Sequence, residues 1–521
     1  MIIDSGVTFP DNHLPGIDLI MPKIDFFHEF NISIDGLVLT HSHEDHLGAV
    51  VYLHEQLDSP QIYGTNFTLA MLLPRLKEYQ VYSPEKITEI FPAQEFQVGD
   101  FKITPMKVTH SLVDCIALGI ESPQGTIVHT GDFKIDRNPI DNWHFDEAKF
   151  KELGKKGVRL LMSDSTNVES AGWSTSEEEL RASLEEIISQ IQKGKVIVTL
   201  FSSNLHRIQI LFHVAKKVGR RVVLCGRSVL TNTELAKRHG HLQFDSSQLV
   251  HSQDAKRMNP DKLLILCTGT QAESRSALSK MVNACHPDIE VLPGDSIIFS
   301  SRHILGNEKR ISILMNDIYR CGARVIDYRD GLVHVSGHAK LCELESILDW
   351  VQPQCFLPVH GEYRMLVKHG ELGRQRLPKT KTIVAENGDV LELSKDSFRK
   401  YPEHVAAGKA YLDEHRNLIS DGIIKERRKL SSQGFVSVAA VIRKKDHKLL
   451  RGPDLIALGI PEDEIDLIEL ENLIEDLMNH PKRKKTVDFK SLEEEIRLLT
   501  RRFYKRSIGL KPIVIPSIYV V

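Results

Sequence analysis

Short apolar runs that break off at clusters of His, Asp and Ser recur along this chain. Gly36-Leu37-Val38-Leu39 stops at Thr40-His41, Phe101 to Thr109 stops at His110, and Thr126-Ile127-Val128 stops at His129-Thr130-Gly131-Asp132. Val158 to Met162 runs into Ser163-Asp164, and Cys355 to Val359 into His360. Apolar runs this short, bounded by polar residues, predict buried strands, and the residues just beyond each run then sit at a strand end. Over roughly the first third such strands alternate with helices, as in half of an αββα sandwich. At Ser174-Thr175-Ser176-Glu177 a helix begins with the look of a capping box, and the pattern changes. From there to about residue 350 the strands 195–201, 221–225, 263–267, 296–300 and 323–327 alternate with helices in the manner of a parallel α/β layer. Polar, breaker-containing sequence between 395 and 425 predicts a connection, followed by a strand at Phe435 to Ile442, a helix at Glu464 to Asn479 and a strand at Lys511 to Val521. The predicted fold class is therefore α/β: half of an αββα sandwich over 1–177, a separate α/β domain at 178–350, a linker at 416–426 and a small C-terminal α+β domain at 427–521.

Composition narrows the class. The chain has 521 residues, 41% hydrophobic and 26% charged, which suits a multidomain globular protein rather than one core. A formal net charge of -3 gives no global basic signature, so any nucleic-acid contact must come from local groups. The densest basic stretches are Lys425 to Lys429, Pro481 to Lys485 and Arg501 to Arg506, each read first as a solvated helix end. The seven cysteines show no CxxC spacing and several fall in apolar runs, which indicates reduced thiols and a cytoplasmic protein. The amino terminus lacks a basic-then-apolar signal, and no apolar run reaches the ~20 residues a membrane span needs.

The candidate chemistry lies in His41-Ser42-His43-Glu44-Asp45-His46. Side chains two apart in an extended segment point the same way, so His41 and His43 can grip one ion while Asp45 and His46 turn toward a second. Six residues of one loop cannot surround two ions, and His110, Asp132 and His360 offer further donors, each at a strand end. Five imidazoles and two carboxylates suit zinc, with manganese as the second choice. Two adjacent divalent ions activate water and steady the charge of an in-line attack on phosphorus, which points to phosphodiester hydrolysis.

The motifs Thr-His-Ser-His-Glu-Asp-His-Leu-Gly at 40–48, His-Thr-Gly-Asp-Phe-Lys at 129–134 and Ser-Asp-Ser-Thr-Asn at 163–167 resemble the ribonuclease J family of the metallo-β-lactamase superfamily. So do Ser-Asn-Leu-His-Arg at 203–207, His-Val-Ser-Gly-His at 334–338 and Pro-Val-His-Gly-Glu-Tyr-Arg at 358–364, and the resemblance spans nearly the whole chain. It implies a metallo-β-lactamase αββα sandwich formed by 1–177 and 351–415, with a β-CASP domain inserted at 178–350 and the substrate running between the two. In that scheme His41, His43 and His110 hold the first metal, Asp45, His46 and His360 the second, and Asp132 bridges them. His338 is the acid that protonates the departing 3′ oxygen, and Asp164 orients it. A histidine held by a carboxylate keeps one tautomer and can carry a proton at working pH; on residue type alone Asp164 also suits a turn or helix cap. The resemblance further implies that Ser202, Ser203 and Asn204, with His334, Val335, Ser336, Gly337 and His338, contact the 5′-terminal phosphate and nucleotide. Ser203-Asn204 also read as the cap of a helix beginning at Leu205, a role compatible with phosphate binding.

The implied activity is a metal-dependent ribonuclease, 5′-to-3′ from monophosphorylated ends with internal cleavage as a second mode, acting in RNA maturation and decay. The implied partners are RNA, further copies of the chain in a homodimer or homotetramer formed through the C-terminal domain, and a paralogue or other RNA-decay proteins. Two other readings stand beside it: a DNA-directed β-CASP nuclease, separated by contacts to the 2′-hydroxyl, and a catalytically weak RNA-binding subunit, against which the full set of ligand candidates argues. The chain departs from the family pattern twice. Relatives carry a longer segment ahead of the stretch matching Met1 to Gly6, so either the start is placed late or an edge hairpin is lacking, the latter leaving an open sheet edge. Ser300-Ser301-Arg302-His303-Ile304-Leu305-Gly306-Asn307-Glu308 also replaces a proline-containing loop, which bears on local substrate contacts.

Overall fold

The computed structural model describes residues 1–10, 13–304, 306–446, 448–461, 466–479 and 489–521. They form two compact units, the first comprising Met1–Thr8 with Met21–Lys409, the second Phe9–Ile20 with Ala410–Val521.

In the first unit two sheets face one another. One has four parallel strands in the order Ile2–Ile3, Gly36–Val38, Gln61–Gly64, Ile87–Glu89, with Ile2–Ile3 at its outer edge. The other has seven, in the order Lys381–Thr382, Cys355–Val359, Val158–Asp164, Gly125–His129, Ile116–Ser122, Phe101–Lys107, Phe96–Val98. Val38 of the first sheet is buried in one cluster with Ile103, Ile116, Leu118 and Ile120 of the second, which fills the space between the sheets. The opposite faces are covered by helices. Leu37, Leu39 and Ile62 pack on Leu69, Leu72 and Leu76 of the helix Asn66–Glu78. Met106, Val128, Leu161 and Phe356 pack on Phe150 of Glu147–Lys156 and on Leu344, Ile347 and Leu348 of Leu341–Val351. This is the αββα sandwich that the short apolar runs predict. The Cys355–Val359 strand lies parallel to Val158–Asp164 with Val359 opposite Asp164, so a segment far along the chain ends beside the middle of the sheet.

The inserted α/β layer has six parallel strands, ordered Leu249–Val250, Arg221–Cys225, Leu263–Cys267, Val196–Thr199, Ser296–Phe299, Arg324–Ile326. Its faces alternate as a doubly covered sheet requires: Val196 and Val198 enter one core and Ile197 the other. The helix Glu177–Gln190 starts at Ser176 with the predicted capping box, closed by Glu179. All five strands expected here are present, with ends one or two residues short in places, and Leu249–Val250 adds a sixth at the edge.

In the second unit Leu449–Leu458, Phe435–Ile442 and Ile513–Val520 form a three-stranded sheet, the first pair antiparallel and the second parallel. Val436, Val438, Ala440 and Ile442 face Leu470 and Ile474 of the helix Leu467–Asn479 and Ile496, Phe503 and Tyr504 of Phe489–Ile508. The stretch 416–426, expected to be a linker, is folded: it carries the strand Leu418–Ile419 and the start of the helix Asp421–Gln433, whose Ile424 is buried against Ile17 and Ile20. Polar side chains hide this docking because Ile424 is the one buried residue of that helix. Two of the arginines in the Lys425 to Lys429 cluster are ties rather than solvated ends, since Arg427 donates to the Gly16 carbonyl at 2.8 Å and Arg428 to that of His13 at 2.6 Å. Pro481 to Lys485 lies outside the described residues, as do Glu464 and Ile465 of the expected helix. All seven cysteines are free, and no helix among the described residues is long and apolar enough to cross a membrane.

Candidate metal centre

Five loops converge at one end of the sandwich. The strand Gly36–Val38 delivers Thr40 to His43, and the four-residue helix Glu44–Leu47 that follows turns His46 inward. Beyond Phe101–Lys107 comes His110, beyond Gly125–His129 comes Asp132, Val158–Asp164 ends on Asp164, and Cys355–Val359 is followed by His360.

The donor atoms fall into overlapping groups. His41, His43, His110 and Asp132 form one; Asp45, His46, Asp132 and His360 form a second; Asp132, Asp164, His338 and His360 form a third. His41 Nε2 and His43 Nδ1 lie 3.0 Å apart, and His43 Nδ1 and His110 Nε2 3.2 Å. His46 Nε2 lies 3.3 Å from His360 Nε2 and 3.3 Å from Asp132 Oδ2. Tetrahedral zinc with ~2.0–2.1 Å bonds to imidazole nitrogen sets neighbouring donors about 3.3 Å apart, so these spacings match the edges of a coordination polyhedron. The buried Asp132 Oδ1 has no hydrogen-bond partner, as befits a ligand atom. The donor set therefore fits two divalent ions.

Four ligand rings are held by their other nitrogen, which fixes tautomer and orientation. His41 Nδ1 meets Thr40 Oγ1 at 3.0 Å, His110 Nδ1 donates to the Gly337 carbonyl at 2.7 Å, His46 Nδ1 donates to Asp4 Oδ2 at 2.7 Å, and His360 Nδ1 meets Thr166 Oγ1 at 2.9 Å. Asp4 also accepts from the Thr40 amide and hydroxyl, both at 2.7 Å. Burial holds His41, His43 and His110 below the ordinary imidazole range, His43 at about 4, so all three stand neutral and ready to ligate. Burial acts the same way on His46, but Asp132 and Asp4 outweigh it and raise that ring well above the usual value.

His338 sits beside the metal groups. Its Nδ1 is 2.8 Å from Asp164 Oδ2, and Asp164 Oδ1 accepts from the Thr166 amide at 2.9 Å and hydroxyl at 2.7 Å. Burial opposes a proton on His338, yet the Asp164 carboxylate wins and its pKa is raised. Ser336 Oγ accepts from the His338 amide at 3.2 Å and from Asn167 Nδ2 at 2.8 Å. The remaining expected contact residues divide. Ser336 and Gly337 border the centre, Gly337 against His110. Val335 is 4% exposed and its side chain packs in the α/β core, so only its backbone is available. Asn204 is buried as the cap of the helix Leu205–Val218, accepting from the Arg207 amide at 3.0 Å, while the Ser202 carbonyl accepts from Asn232 at 3.1 Å. His334 is half-buried with a solvent-free, unpartnered Nδ1, and burial followed by the Arg207 charge holds it at about 3.

Comparison with known proteins agrees with this geometry. Residues 15–191 match the beta-lactamase superfamily domain, 193–318 the ribonuclease J beta-CASP domain, 329–385 the Zn-dependent metallo-hydrolase RNA specificity domain, and 422–521 the ribonuclease J C-terminal domain. The chain is 33% identical over 528 residues to the ribonuclease J of Synechocystis sp. (99% of this chain, 82% of that one). It is 36% identical over 522 residues to that of Sinorhizobium meliloti (99% and 91%) and 34% over 526 residues to that of Thermus thermophilus (99% and 90%). The chain belongs to the ribonuclease J family. Family and centre together support a metal-dependent hydrolytic ribonuclease with divalent ions at the His/Asp cluster. The structure brings the expected His and Asp donors together, and sequence reasoning passed over Asp4, Thr40 and Thr166, which orient their rings, and Asn167, which ties Ser336 to the His338 backbone. A signal existed, because every ligand imidazole needs a partner for its second nitrogen and Asp4 follows the apolar Ile2-Ile3 as the ligands follow their own strands.

Proposed function

We propose that this protein degrades RNA 5′-to-3′ from monophosphorylated ends, with zinc ions in the cell and manganese as the alternative. His41, His43 and His110 would hold one ion, Asp45, His46 and His360 the other, and Asp132 both. The observation that carries this reading is the pairing of two donor groups through Asp132 with the His338–Asp164 dyad alongside. Bound there, the ions supply Lewis-acid charge for phosphate oxygens and activate water. The protein's own groups do the rest. Asp164 takes the Nδ1 proton of His338 as a hydrogen bond, which leaves Nε2 to carry the second proton and release it to a departing 3′ oxygen. Ser336 and the Gly337 backbone offer a hydroxyl and an amide to a phosphate beside that proton. The nonpolar lining of the two sheets behind the ligands excludes water from the buried side.

The domain limits that go with this reading are 1–177 and 351–415 for the lactamase-type sandwich, 178–350 for the β-CASP layer and 427–521 for the C-terminal domain, which lies within the second compact unit. That last domain would form the homodimer or homotetramer. Supporting this, Ile456 and Ile515 flank Ser437 in register on the outer sheet face and are 60% and 50% exposed. Light scattering of Ile456→Glu with Ile515→Glu should show a smaller particle than the parent protein; an unchanged mass would remove this face from assembly. A cytoplasmic location follows from reduced cysteines and an RNA substrate.

The activity is tested with one RNA labelled at its 3′ end and carrying a 5′-monophosphate, triphosphate or hydroxyl, with manganese or zinc added. Rapid loss of the monophosphate form alone, with kcat lowered about 10²- to 10⁴-fold in His338→Ala at unchanged metal content, is the expected result. Equal loss of all three forms to internal fragments would replace the exonuclease reading with an endonuclease, and cleavage of DNA alone would replace the substrate.

A further inference from the structure

The segment 300–304 that follows the strand Ser296–Phe299 places an arginine beside the loop of the candidate acid. Arg302 is exposed, yet its guanidinium is fixed: Nη1 donates to Asn167 Oδ1 at 3.1 Å. Asn167 in turn donates through Nδ2 to Ser336 Oγ at 2.8 Å and to the His338 carbonyl at 3.1 Å. The Arg302 backbone is clamped from below by Gln271, 5% exposed, whose Nε2 donates to the Arg302 carbonyl at 3.0 Å while its Oε1 accepts from the Ile304 amide at 2.9 Å. The guanidinium therefore projects from a fixed backbone onto the same asparagine that ties Ser336 and His338.

Its charge is not neutralised locally. Among the described residues no carboxylate lies within ion-pair distance of Arg302, whereas the nearby Arg207 is paired with Glu177 and Arg329 with Asp327. One of five guanidinium donors is used by Asn167, which itself holds the Ser336 hydroxyl, and the residue is exposed. A fixed, unpaired, exposed guanidinium in that setting is built for a bidentate contact with a phosphate. The positive charge also reaches His334, where it adds to burial, Arg207 and Lys134 in keeping that ring neutral.

We propose that Arg302 binds a phosphate group of the nucleic-acid strand at the rim of the candidate active site, and so sets substrate affinity in this chain. The inference rests on the ribonuclease reading above. It assigns the residue to substrate binding, not to positioning of His338 through Asn167, and the two roles leave different traces.

The experiment measures kcat and KM of the metal-loaded protein on a single-stranded RNA across a range of salt concentrations, for the parent, Arg302→Gln and Arg302→Lys. Matched substrates carry a 5′-monophosphate or a 5′-hydroxyl. Expected for Arg302→Gln is a KM raised about tenfold, the size of one missing charge-assisted hydrogen bond. The slope of log KM against log salt should also fall by about 0.7, the change expected when one phosphate of a single strand is no longer neutralised. Arg302→Lys keeps the charge and should restore the slope. An effect confined to the monophosphate RNA identifies the terminal phosphate, and an equal effect on both identifies an internal one; either supports the proposal. An unchanged salt slope in Arg302→Gln overturns it, as does a fall in kcat with KM unmoved, which is the mark of a positioning residue. Hydrolysis of bis(p-nitrophenyl) phosphate by the parent protein separates the two levels. If that diester is cleaved and RNA is not, the ribonuclease reading itself fails and takes the Arg302 assignment with it; if RNA is cleaved with an unaltered slope, only the assignment falls.

Discussion

Asp4 shows how much of the metal centre rests on one carboxylate outside the donor set. It accepts from His46 Nδ1, from the Thr40 amide and from the Thr40 hydroxyl, and Thr40 in turn touches His41 Nδ1. One side chain thus orients a ring of each metal group, directly for His46 and through Thr40 for His41. Its backbone adopts φ +60, an uncommon conformation that turns the carboxylate under the loop instead of outward. Replacing Asp4 by Asn keeps the shape but removes the charge that holds the His46 Nδ1 proton and makes its Nε2 a more basic donor. The expected result is a 10- to 100-fold weaker metal affinity in a chelator competition, with the far-ultraviolet circular dichroism unchanged. Retained affinity would show that the loop alone orients the rings.

At the scale of elements, the sequence exposes what repeats and hides what is solved by packing. Strands ending in the His and Asp donors were legible because an apolar run followed by His or Asp is a local pattern, and so were the parallel strands from Val196 to Ile326, buried on both faces and therefore nearly continuous apolar runs, as in Leu263–Cys267. The strand Leu449–Leu458 was not legible, since Gly452-Pro453 interrupts it and reads as a turn; the sheet accommodates the pair where its register shifts. The docking of 416–426 was hidden for the converse reason, its one buried residue, Ile424, lying among polar and charged neighbours. Juxtapositions across the chain were the least visible: nothing near residue 337 announces that its backbone will lie on His110. A Cβ at Gly337 would come within 2.7 Å of His110 Cε1 and 2.8 Å of its Nδ1. Gly337→Ala should therefore push the ligand ring and the acid loop apart. We expect loss of about one metal equivalent per chain by elemental analysis and a kcat drop of at least 10-fold; full metal occupancy with normal turnover would mean the loop yields freely.

Across the whole first unit, a buried polar chain connects the metal loops with the α/β layer. Lys134, two residues beyond Asp132, which all three donor groups share, lies 3.3 Å from Asp136, whose carboxylate accepts from the Glu177 amide at 3.1 Å. Glu177 faces Arg207 at 3.4 Å, and Arg207 donates to the carbonyls of Ser300 at 3.2 Å and Val333 at 3.3 Å, next to the loop that carries His338. Arg207 is fully buried and Glu177 only 2% exposed, so removing one partner strands a charge in a poorly solvating interior, a loss of about 3–5 kcal/mol. The pH dependence follows from the sign of the shift. Burial pushes the Glu177 carboxyl up, but Arg207 and Lys134 together hold it below the ordinary carboxylate value. A depressed folded value means that the stabilisation is fully present above the unfolded pKa of ~4.3 and is lost as pH falls through the lower folded one. Denaturant midpoints measured from pH 7 down to pH 3 should therefore show Glu177→Gln well below the parent near neutrality and converging on it in acid. A gap that stays constant over that range would mean that Glu177 contributes shape rather than charge, and that the coupling between the metal loops and the α/β layer is carried by packing alone.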